Sequence, residues 1–185
     1  MNKLSFLRES IKNLKTVGTV TPSSRFLCRA MLKGIDFSKA TLIVELGAGN
    51  GVLTRHILKR MRPDAKLLCF EVQANFCDLL RAIDDDRLIV IEDSAEHLPT
   101  YLEEFGGHQR KADHIISAIP FVILPKDLAK NIVATCYQHL ASNGRFAQVH
   151  YSLILKSLYE DVFPRVNINF TPLNIPPAFV FHCSS

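Results

Sequence analysis

The sequence predicts an α/β fold in which a mostly parallel sheet is covered by helices on both faces. From residue 41 onward, short apolar segments alternate with segments whose apolar residues recur at helical spacing. The apolar segments are nearly continuous, which is typical of parallel strands buried on both faces. With 185 residues, of which 48% are hydrophobic and 22% charged, the chain is expected to form one domain over residues 1–185.

Residues 1–40 are predicted to form an N-terminal helical segment. An amphipathic helix is predicted over residues 2–14, where one apolar stripe contains Leu4, Leu7, Ile11 and Leu14. A second helix is predicted to begin near Pro22, since proline is favoured in the first helical turn. It is expected to end at about Lys33, because Gly34 stops a helix.

Residues 41–185 are predicted to form the sheet and its covering helices. The predicted strands are residues 41–46, 66–71, 87–91, 112–117, 145–151, 162–170 and 178–183. The predicted helices are residues 52–61, 74–82, 95–105, 126–140 and 153–158. Three prolines between the last two strands leave no room for a crossover helix, so these strands are expected to pair antiparallel. The expected sheet therefore has seven strands with an antiparallel final strand.

Charge is unevenly distributed along the chain. Residues 1–40 carry a net charge of +6, whereas the remaining residues carry −2. Attraction for an anionic partner, either a membrane surface or RNA, is therefore expected at the N-terminus. The first helix is interpreted as a lid over a ligand or as a membrane-contact segment, and both interpretations stay open.

Composition argues against several other protein classes. The five cysteines are dispersed without regular spacing, which favours reduced thiols over disulfides or a zinc site. The histidines also lack metal-ligand spacing, so no metal is expected. No apolar segment approaches the roughly 20 residues of a membrane span, and no signal-peptide stretch opens the chain. A cytoplasmic location is expected, with peripheral contact to the inner face of the membrane as a further expectation.

A glycine-rich segment lies where the first strand of the sheet gives way to the first helix. Its sequence is Glu45-Leu46-Gly47-Ala48-Gly49-Asn50-Gly51, and glycines allow a tight turn and close approach of a ligand to the backbone. Glu71 ends the next strand, 24 positions after Gly47, where an acid accepts hydrogen bonds from a ribose diol. Asp93 ends the third strand and is suited to accept from a purine amine. Each feature alone also fits a solvated strand end or a packing glycine, but together they predict a nucleoside site.

These motifs resemble those of the class I S-adenosylmethionine-dependent methyltransferases, which have a Rossmann-like three-layer fold. The segment V-E-L-G-A-G-N-G-V-L-T is similar to their glycine motif, Glu71 to their ribose-binding acid and Asp93 to their adenine-contacting acid. The resemblance implies S-adenosylmethionine as cofactor and S-adenosylhomocysteine as product. The residues expected to bind the cofactor in the sheet region are Glu45, Gly47, Ala48, Gly49, Gly51, Glu71, Val72, Asp93, Ser94, Ala95 and Ser117.

Hydroxyl side chains before the second helix are further candidates. Thr19, Thr21, Ser23 and Ser24 are expected to bond the methionine end of the cofactor, since a helix N-terminus favours a carboxylate. Simple capping of the helix by Thr21 or Ser23 explains at least one of them without any ligand. Both interpretations stay open.

The fourth strand ends in a candidate catalytic segment, Ser117-Ala118-Ile119-Pro120-Phe121. Amino-methylating members of this fold carry a polar residue, a proline and an aromatic residue here. Displacement at a sulfonium methyl needs an aligned nitrogen lone pair, so the enzyme works chiefly by positioning and desolvation. A rigid proline turn would aim backbone carbonyls at the amine. The alternative is an ordinary turn with a core phenylalanine.

Two subfamilies of these enzymes resemble the chain. The ribosomal RNA adenine dimethylases carry N-[LI]-P-[YF] at this place, and Ala118 departs from their asparagine. The bacterial phospholipid N-methyltransferases are similar in F-L-R-E-S-I-K-N, V-G-T-V-T-P-S-S-R, S-A-I-P-F and F-A-Q-V-H-Y. This second resemblance implies phosphatidylethanolamine as the acceptor. Methylation of RNA, and cofactor binding without turnover, remain the alternative functions.

His150 and Tyr151 end the fifth strand, near the expected acceptor pocket. A histidine there is able to take the ammonium proton of the substrate. The alternative is a polar residue whose hydrogen bonds are satisfied at the sheet edge. His150 and Ser152 also depart from the small polar residue and glycine expected in the phospholipid enzymes, which leaves the acceptor's identity open.

Overall fold

The computed structural model describes residues 24–105 and 111–185. The predicted helix over residues 2–14 and the candidate residues Thr19, Thr21 and Ser23 lie outside these residues. The strands are β1 (Leu42–Leu46), β2 (Lys66–Phe70), β3 (Leu88–Ile91), β4 (Ala112–Ser117), β5 (Leu140–His150), β6 (Arg165–Thr171) and β7 (Ala178–Ser184). The helices are α1 (Arg25–Met31), α2 (Val52–Leu58), α3 (Ala74–Arg81), α4 (Leu98–Phe105), α5 (Lys126–Gln138) and α6 (Lys156–Glu160).

The seven strands form one sheet in the order β3-β2-β1-β4-β5-β7-β6. Neighbouring pairs from β3 to β5 are parallel, and β7 is antiparallel to both β5 and β6. The prediction of a mostly parallel seven-stranded sheet with an antiparallel final strand is therefore confirmed. The strand order reverses between β1 and β4, and in open α/β sheets the crevice beyond such a reversal binds ligands.

Two apolar clusters cover the two faces of the sheet. Val44 and Ile115 point to the face that carries α4, α5 and α6, whereas Ile43 and Ile116 point to the face of α1 and α2. Successive side chains of a strand point to opposite faces, so each central strand contributes to both clusters. This two-sided burial explains why β1 is apolar at nearly every position.

The boundary between α5 and β5 differs from the prediction. The helix was predicted to reach residue 140 and the strand to begin after an Asn143-Gly144 turn, but β5 begins at Leu140. Leu140 pairs with Ala112 and Arg145 with His114, so residues 141–144 form an irregularity within the strand. Pairing with β4 therefore overrides the local turn preference of this dipeptide.

Smaller shifts occur at the N-terminus and the C-terminus of the described chain. Ser24 caps α1 by accepting a hydrogen bond from the Leu27 N–H at 3.2 Å. The short helix predicted over 153–158 lies instead at Lys156–Glu160, and the strand predicted over 162–170 lies at Arg165–Thr171. These differences move element ends and leave the topology unchanged.

Candidate active site

The glycine segment packs between the ends of β2 and β4. The N–H groups of Gly47 and Ala48 both donate to the Phe70 carbonyl, at 2.8 and 3.2 Å. Gly47 has a φ of +73°, and a Cβ at this position would lie 3.2 Å from the Ile119 nitrogen. Both the backbone conformation and the close approach favour glycine here. The segment that follows β1 is thereby held against the segment that follows β4.

Gly49 lies against the predicted ribose-binding acid. Its N–H donates to Glu71 Oε2 at 2.8 Å, and the Gln73 N–H donates to Glu71 Oε1 at 2.9 Å. Gly49 has a φ of +56°, and a Cβ on it would meet no atom of residues 24–105 and 111–185 within 4 Å. The structure therefore brings Gly49 and Glu71 into direct contact, and the described residues leave space beside the glycine backbone.

Asp93 follows β3, the neighbour of β2. Phe70 pairs with Ile91, so Glu71 and Asp93 stand one and two residues beyond the last paired positions. The Asp93 carboxylate accepts hydrogen bonds from the Ser94 N–H at 2.7 Å, His97 Nδ1 at 2.9 Å and the Tyr101 hydroxyl at 3.1 Å.

These bonds determine the ionisation of Asp93. Burial opposes ionisation, but the hydrogen bonds from His97, Ser94 and Tyr101 lower the pKa of Asp93 overall. The carboxylate is therefore held ionised and in a fixed orientation at the end of β3.

Glu45 lies in the core rather than on the surface of the crevice. It is 1% exposed, and Cys69 Sγ donates to its Oε2 at 3.6 Å. Its Oε1 atom has no hydrogen-bond partner among the described residues. Burial, together with the nearby charge of Glu71, raises the pKa of Glu45 to about 7, although Thr54 and Cys69 partly oppose the shift.

The candidate catalytic segment continues β4 past the glycine segment. The Ala118 N–H donates to the Leu46 carbonyl at 2.8 Å, and Ser117 Oγ accepts from the Ile119 N–H at 3.3 Å. Phe121 is buried and begins a 3₁₀ turn over Phe121–Ile123. Pro120 thus lies between a backbone fixed on β1 and a ring anchored in the core.

Gln148 belongs to this segment's surroundings and was not among the predicted site residues. Its Nε2 donates to the Ile119 carbonyl at 2.9 Å and to the Val149 carbonyl at 2.7 Å. The side chain is fully buried, and its Oε1 has no partner among the described residues. A glutamine flanked by Ala147 and Val149 on β5 was the sequence signal for this contact.

His150 and Tyr151 lie at the carboxyl end of β5. His150 is buried, its Nε2 lies 2.9 Å from the Tyr159 hydroxyl, and its ring packs edge-on against Tyr159 and Phe181. Burial lowers the pKa of His150 to about 4, which makes the ring neutral near pH 7. This geometry favours the interpretation of His150 as a satisfied polar residue over its role as proton acceptor. Tyr151 is half exposed.

The donors and acceptors at this crevice fit a nucleoside cofactor. The open side of Gly49 allows close approach, and a carboxylate such as Glu71 has acceptor capacity for a diol. Asp93 supplies a second fixed carboxylate on the adjacent strand. Within residues 24–105 and 111–185, no group of three or more His, Cys, Asp or Glu residues is arranged to hold a metal ion.

The raised pKa of Glu45 predicts a pH-dependent stability. Glu45 retains its proton up to about pH 7 in the folded chain but loses it near its ordinary value of 4.5 when unfolded. The contribution of Glu45 to the free energy of unfolding is therefore fully present below pH 4.5. It is lost as pH rises through about 7, which lowers the free energy of unfolding by about 3 kcal/mol. In Glu45→Gln, the free energy of unfolding should fall less between pH 5 and pH 8.

Urea denaturation at several pH values measures this effect. Glu160→Gln, which removes an exposed ion pair with Lys156, is the control. Its free energy of unfolding should change with pH as that of the wild type does. Parallel pH profiles for the wild type and Glu45→Gln would contradict the prediction.

Known proteins resemble the chain in sequence and in structure. Residues 16–170 match the family described as Methyltransferase small domain. The chain is 32% identical over 181 residues to an ornithine lipid N-methyltransferase from Singulisphaera acidiphila, which covers 96% of this chain and 93% of that protein. This match spans nearly the whole length of both proteins.

Solved structures share the fold at lower identity. A precorrin 8w decarboxylase from Methanobacterium thermoautotrophicum superimposes with a TM-score of 0.67 and 15% identity, covering 91% of this chain and 95% of that chain. Fibrillarin from Aeropyrum pernix, with natively bound S-adenosyl-L-methionine, gives a TM-score of 0.64 and 15% identity, covering 85% and 73%. The fold is thus the predicted Rossmann-like one. The chain belongs to the methyltransferase small domain family and is an S-adenosylmethionine-dependent methyltransferase.

Proposed function

We propose that this enzyme methylates the amino group of a membrane lipid. The observation that carries the proposal is the 32% identity to an ornithine lipid N-methyltransferase over nearly the whole of both chains. Phosphatidylethanolamine, implied by the resemblance to the phospholipid enzymes, and ornithine lipid are the two acceptors considered. Both present a primary amine at the polar end of a lipid.

The surroundings of the catalytic segment support a lipid acceptor. Val122 follows Phe121 directly and is 57% exposed, and Tyr151 and Leu153, which follow β5, are also exposed. β4 and β5 are parallel neighbours, so the segments that follow them lie at the same edge of the sheet. Apolar side chains at this edge are suited to contact acyl chains or the membrane interface.

We assign the cofactor contacts to the crevice beyond β1, β2 and β3. The Glu71 carboxylate accepts the ribose hydroxyls, with Val72 beside it, and Asp93 accepts the adenine amine. The remaining contacts come from Glu45, Gly47, Ala48, Gly49, Gly51, Ser94, Ala95 and Ser117. In this assignment Glu45 contributes to the cofactor site from the core, and Thr19, Thr21 and Ser23 bind the methionine end of the cofactor.

When bound, the cofactor would supply a methyl group on a positively charged sulfur, and the chain positions the amine that accepts this methyl as the sulfur leaves. We infer that Ser117, Ala118, Pro120 and Phe121 form the platform for that amine, with backbone carbonyls as acceptors. Gln148 holds the Ile119 carbonyl and so fixes the platform on β5. His150 is neutral and packed against Tyr159, so the amine is expected to reach the platform already deprotonated.

Glu71→Ala is predicted to weaken S-adenosylmethionine binding by at least about tenfold, because hydrogen bonds to a charged group are lost. Isothermal titration calorimetry measures the dissociation constant. Glu92→Ala is the control. Glu92 lies just after β3 and binds Arg81, and its removal should leave the cofactor affinity unchanged. Equal affinity in the wild type and Glu71→Ala would mean that the ribose lies elsewhere.

Gln148→Leu is predicted to lower kcat/KM for the acceptor by about tenfold, because the buried Ile119 carbonyl loses its side-chain donor. Cofactor affinity should stay within about twofold, since Gln148 lies on the acceptor side of the crevice. Gln138→Leu, at the exposed end of α5, is the matched control. A parallel loss of cofactor affinity would contradict the positioning role.

The acceptor class is tested with methyl-labelled S-adenosylmethionine. Purified enzyme is offered vesicles of phosphatidylethanolamine, vesicles of ornithine lipid, total RNA and free ethanolamine in separate reactions. Label is expected in one or both lipids and should be reduced in Glu71→Ala when S-adenosylmethionine is held below saturation. Label in RNA alone, or in ethanolamine alone, would overturn the lipid proposal.

A further inference from the structure

Two loops at the carboxyl edge of the sheet expose large apolar side chains. The loop after β5 presents Leu153 and Ile154, the latter 72% exposed. The loop between β6 and β7 presents Leu173 at 64% and Ile175 at 79% exposure. Single exposed apolar residues are ordinary, but several on adjacent loops indicate an interaction site.

The two loops and the start of α1 are joined by Asn174. Its Oδ1 accepts from the Ser24 N–H at 3.4 Å, its Nδ2 donates to the Pro176 carbonyl at 2.7 Å, and the residue is 3% exposed. A hydrogen bond from Asn174 also partly offsets the effect of burial on the pKa of Tyr151. The apolar side chains are therefore presented by a fixed, hydrogen-bonded frame.

A basic groove of about 560 Å³ adjoins this frame between α1 and the β6–β7 loop. Its apolar lining includes Phe26, Phe170 and Leu173, and the charged residues that line it within residues 24–105 and 111–185 are Arg29, Lys33 and Arg60. Arg25, Arg29 and Lys33 recur at four-residue intervals and so share one side of α1 and its continuation. Throughout the described residues, none of Arg29, Lys33 and Arg60 forms an ion pair.

We propose that the exposed apolar loops 151–155 and 172–177, together with the basic groove, form one docking surface for a bilayer that contains anionic phospholipid. Leu173 belongs to both parts, so the surface is continuous. The apolar side chains enter the interfacial region, and the cations of the groove meet lipid phosphates. The choice of a bilayer rather than a protein follows from this pairing of exposed apolar side chains with a groove lined by Arg29, Lys33 and Arg60.

The proposed docking surface extends the proposal of a lipid acceptor, and the identity of its partner rests on that proposal. Val122, which follows the catalytic segment, lies at the same edge of the sheet as the loop after β5. A docked enzyme would therefore face the headgroup layer with the opening of its acceptor site. The lipid amine would then be methylated without leaving the membrane.

Two double variants of the full chain separate the apolar and the charged parts. Ile154→Asp with Ile175→Asp places charges on the loops, and Arg29→Glu with Lys33→Glu reverses the groove. Co-sedimentation with vesicles of phosphatidylglycerol and phosphatidylcholine in equal parts, in the presence of S-adenosylhomocysteine, measures binding. Each double variant is expected to bind about tenfold more weakly than the wild type, since apolar insertion and cation–phosphate attraction both contribute.

The matched controls are single substitutions of the same kind at other exposed positions. Leu79→Asp alters an apolar side chain that is 49% exposed on α3, and Lys130→Glu reverses an exposed charge on α5. Both should bind vesicles as the wild type does. Cofactor affinity and turnover of a monomeric short-chain phosphatidylethanolamine should be unchanged in all these variants, which shows that each remains folded and active.

The outcomes distinguish the docking surface from the acceptor. If both double variants bind vesicles as tightly as the wild type, the docking surface is overturned while lipid methylation stands. If the wild type instead forms dimers that Ile154→Asp with Ile175→Asp dissociates, and does not bind vesicles, the surface is a self-association interface and the proposal is overturned. Methyl label in RNA alone overturns the acceptor, whatever the vesicle assay shows.

Discussion

The site depends on the close approach of the glycine segment to two neighbouring strand ends. On one side the Gly49 N–H binds Glu71 at 2.8 Å, and on the other Gly47 lies against the backbone of Ile119. A side chain at Gly47 would separate β1 from the segment after β4, and the two parts of the site would no longer share a crevice. The strand reversal between β1 and β4 brings these parts together. The segments that follow β2 and β4 are therefore coupled through the short glycine segment after β1.

Buried polar groups surround this crevice, and each has a physical cost. Glu45 and Gln148 both retain a side-chain oxygen without a partner among the described residues. An unsatisfied buried acceptor costs about 1–3 kcal/mol, which a purely structural core would avoid by using an apolar residue. Gln148 offsets part of that cost by donating to the Ile119 carbonyl, whereas His150 is satisfied by Tyr159. Glu45, Gln148 and His150 thus place buried polar groups near the carboxyl ends of β1 and β5.

The proposed acceptor side of the molecule has a different character from the proposed cofactor side. Carboxylates and glycine backbone dominate the ends of β1, β2 and β3, whereas exposed apolar side chains dominate the loops after β5 and β6. This division suits a polar nucleoside on one side and an amphiphile on the other. Among the described residues, no helix is long and apolar enough to cross a bilayer.

The sequence by itself determined the topology and the position of Gly49 and Glu71 at one edge of the sheet. Alternating buried strands and helices allow few topologies, and residues at the ends of adjacent parallel strands must share one edge of the sheet. For this reason Gly49 and Glu71 were predicted together, and the structure places them in contact. Tertiary structure alone decided the environment of individual side chains. It buries Glu45 against Cys69, pairs His150 with Tyr159, joins Gln148 to Ile119 and starts β5 at Leu140. Periodicity fixes which face a residue occupies, but contacts between segments distant in the chain depend on how those faces pack.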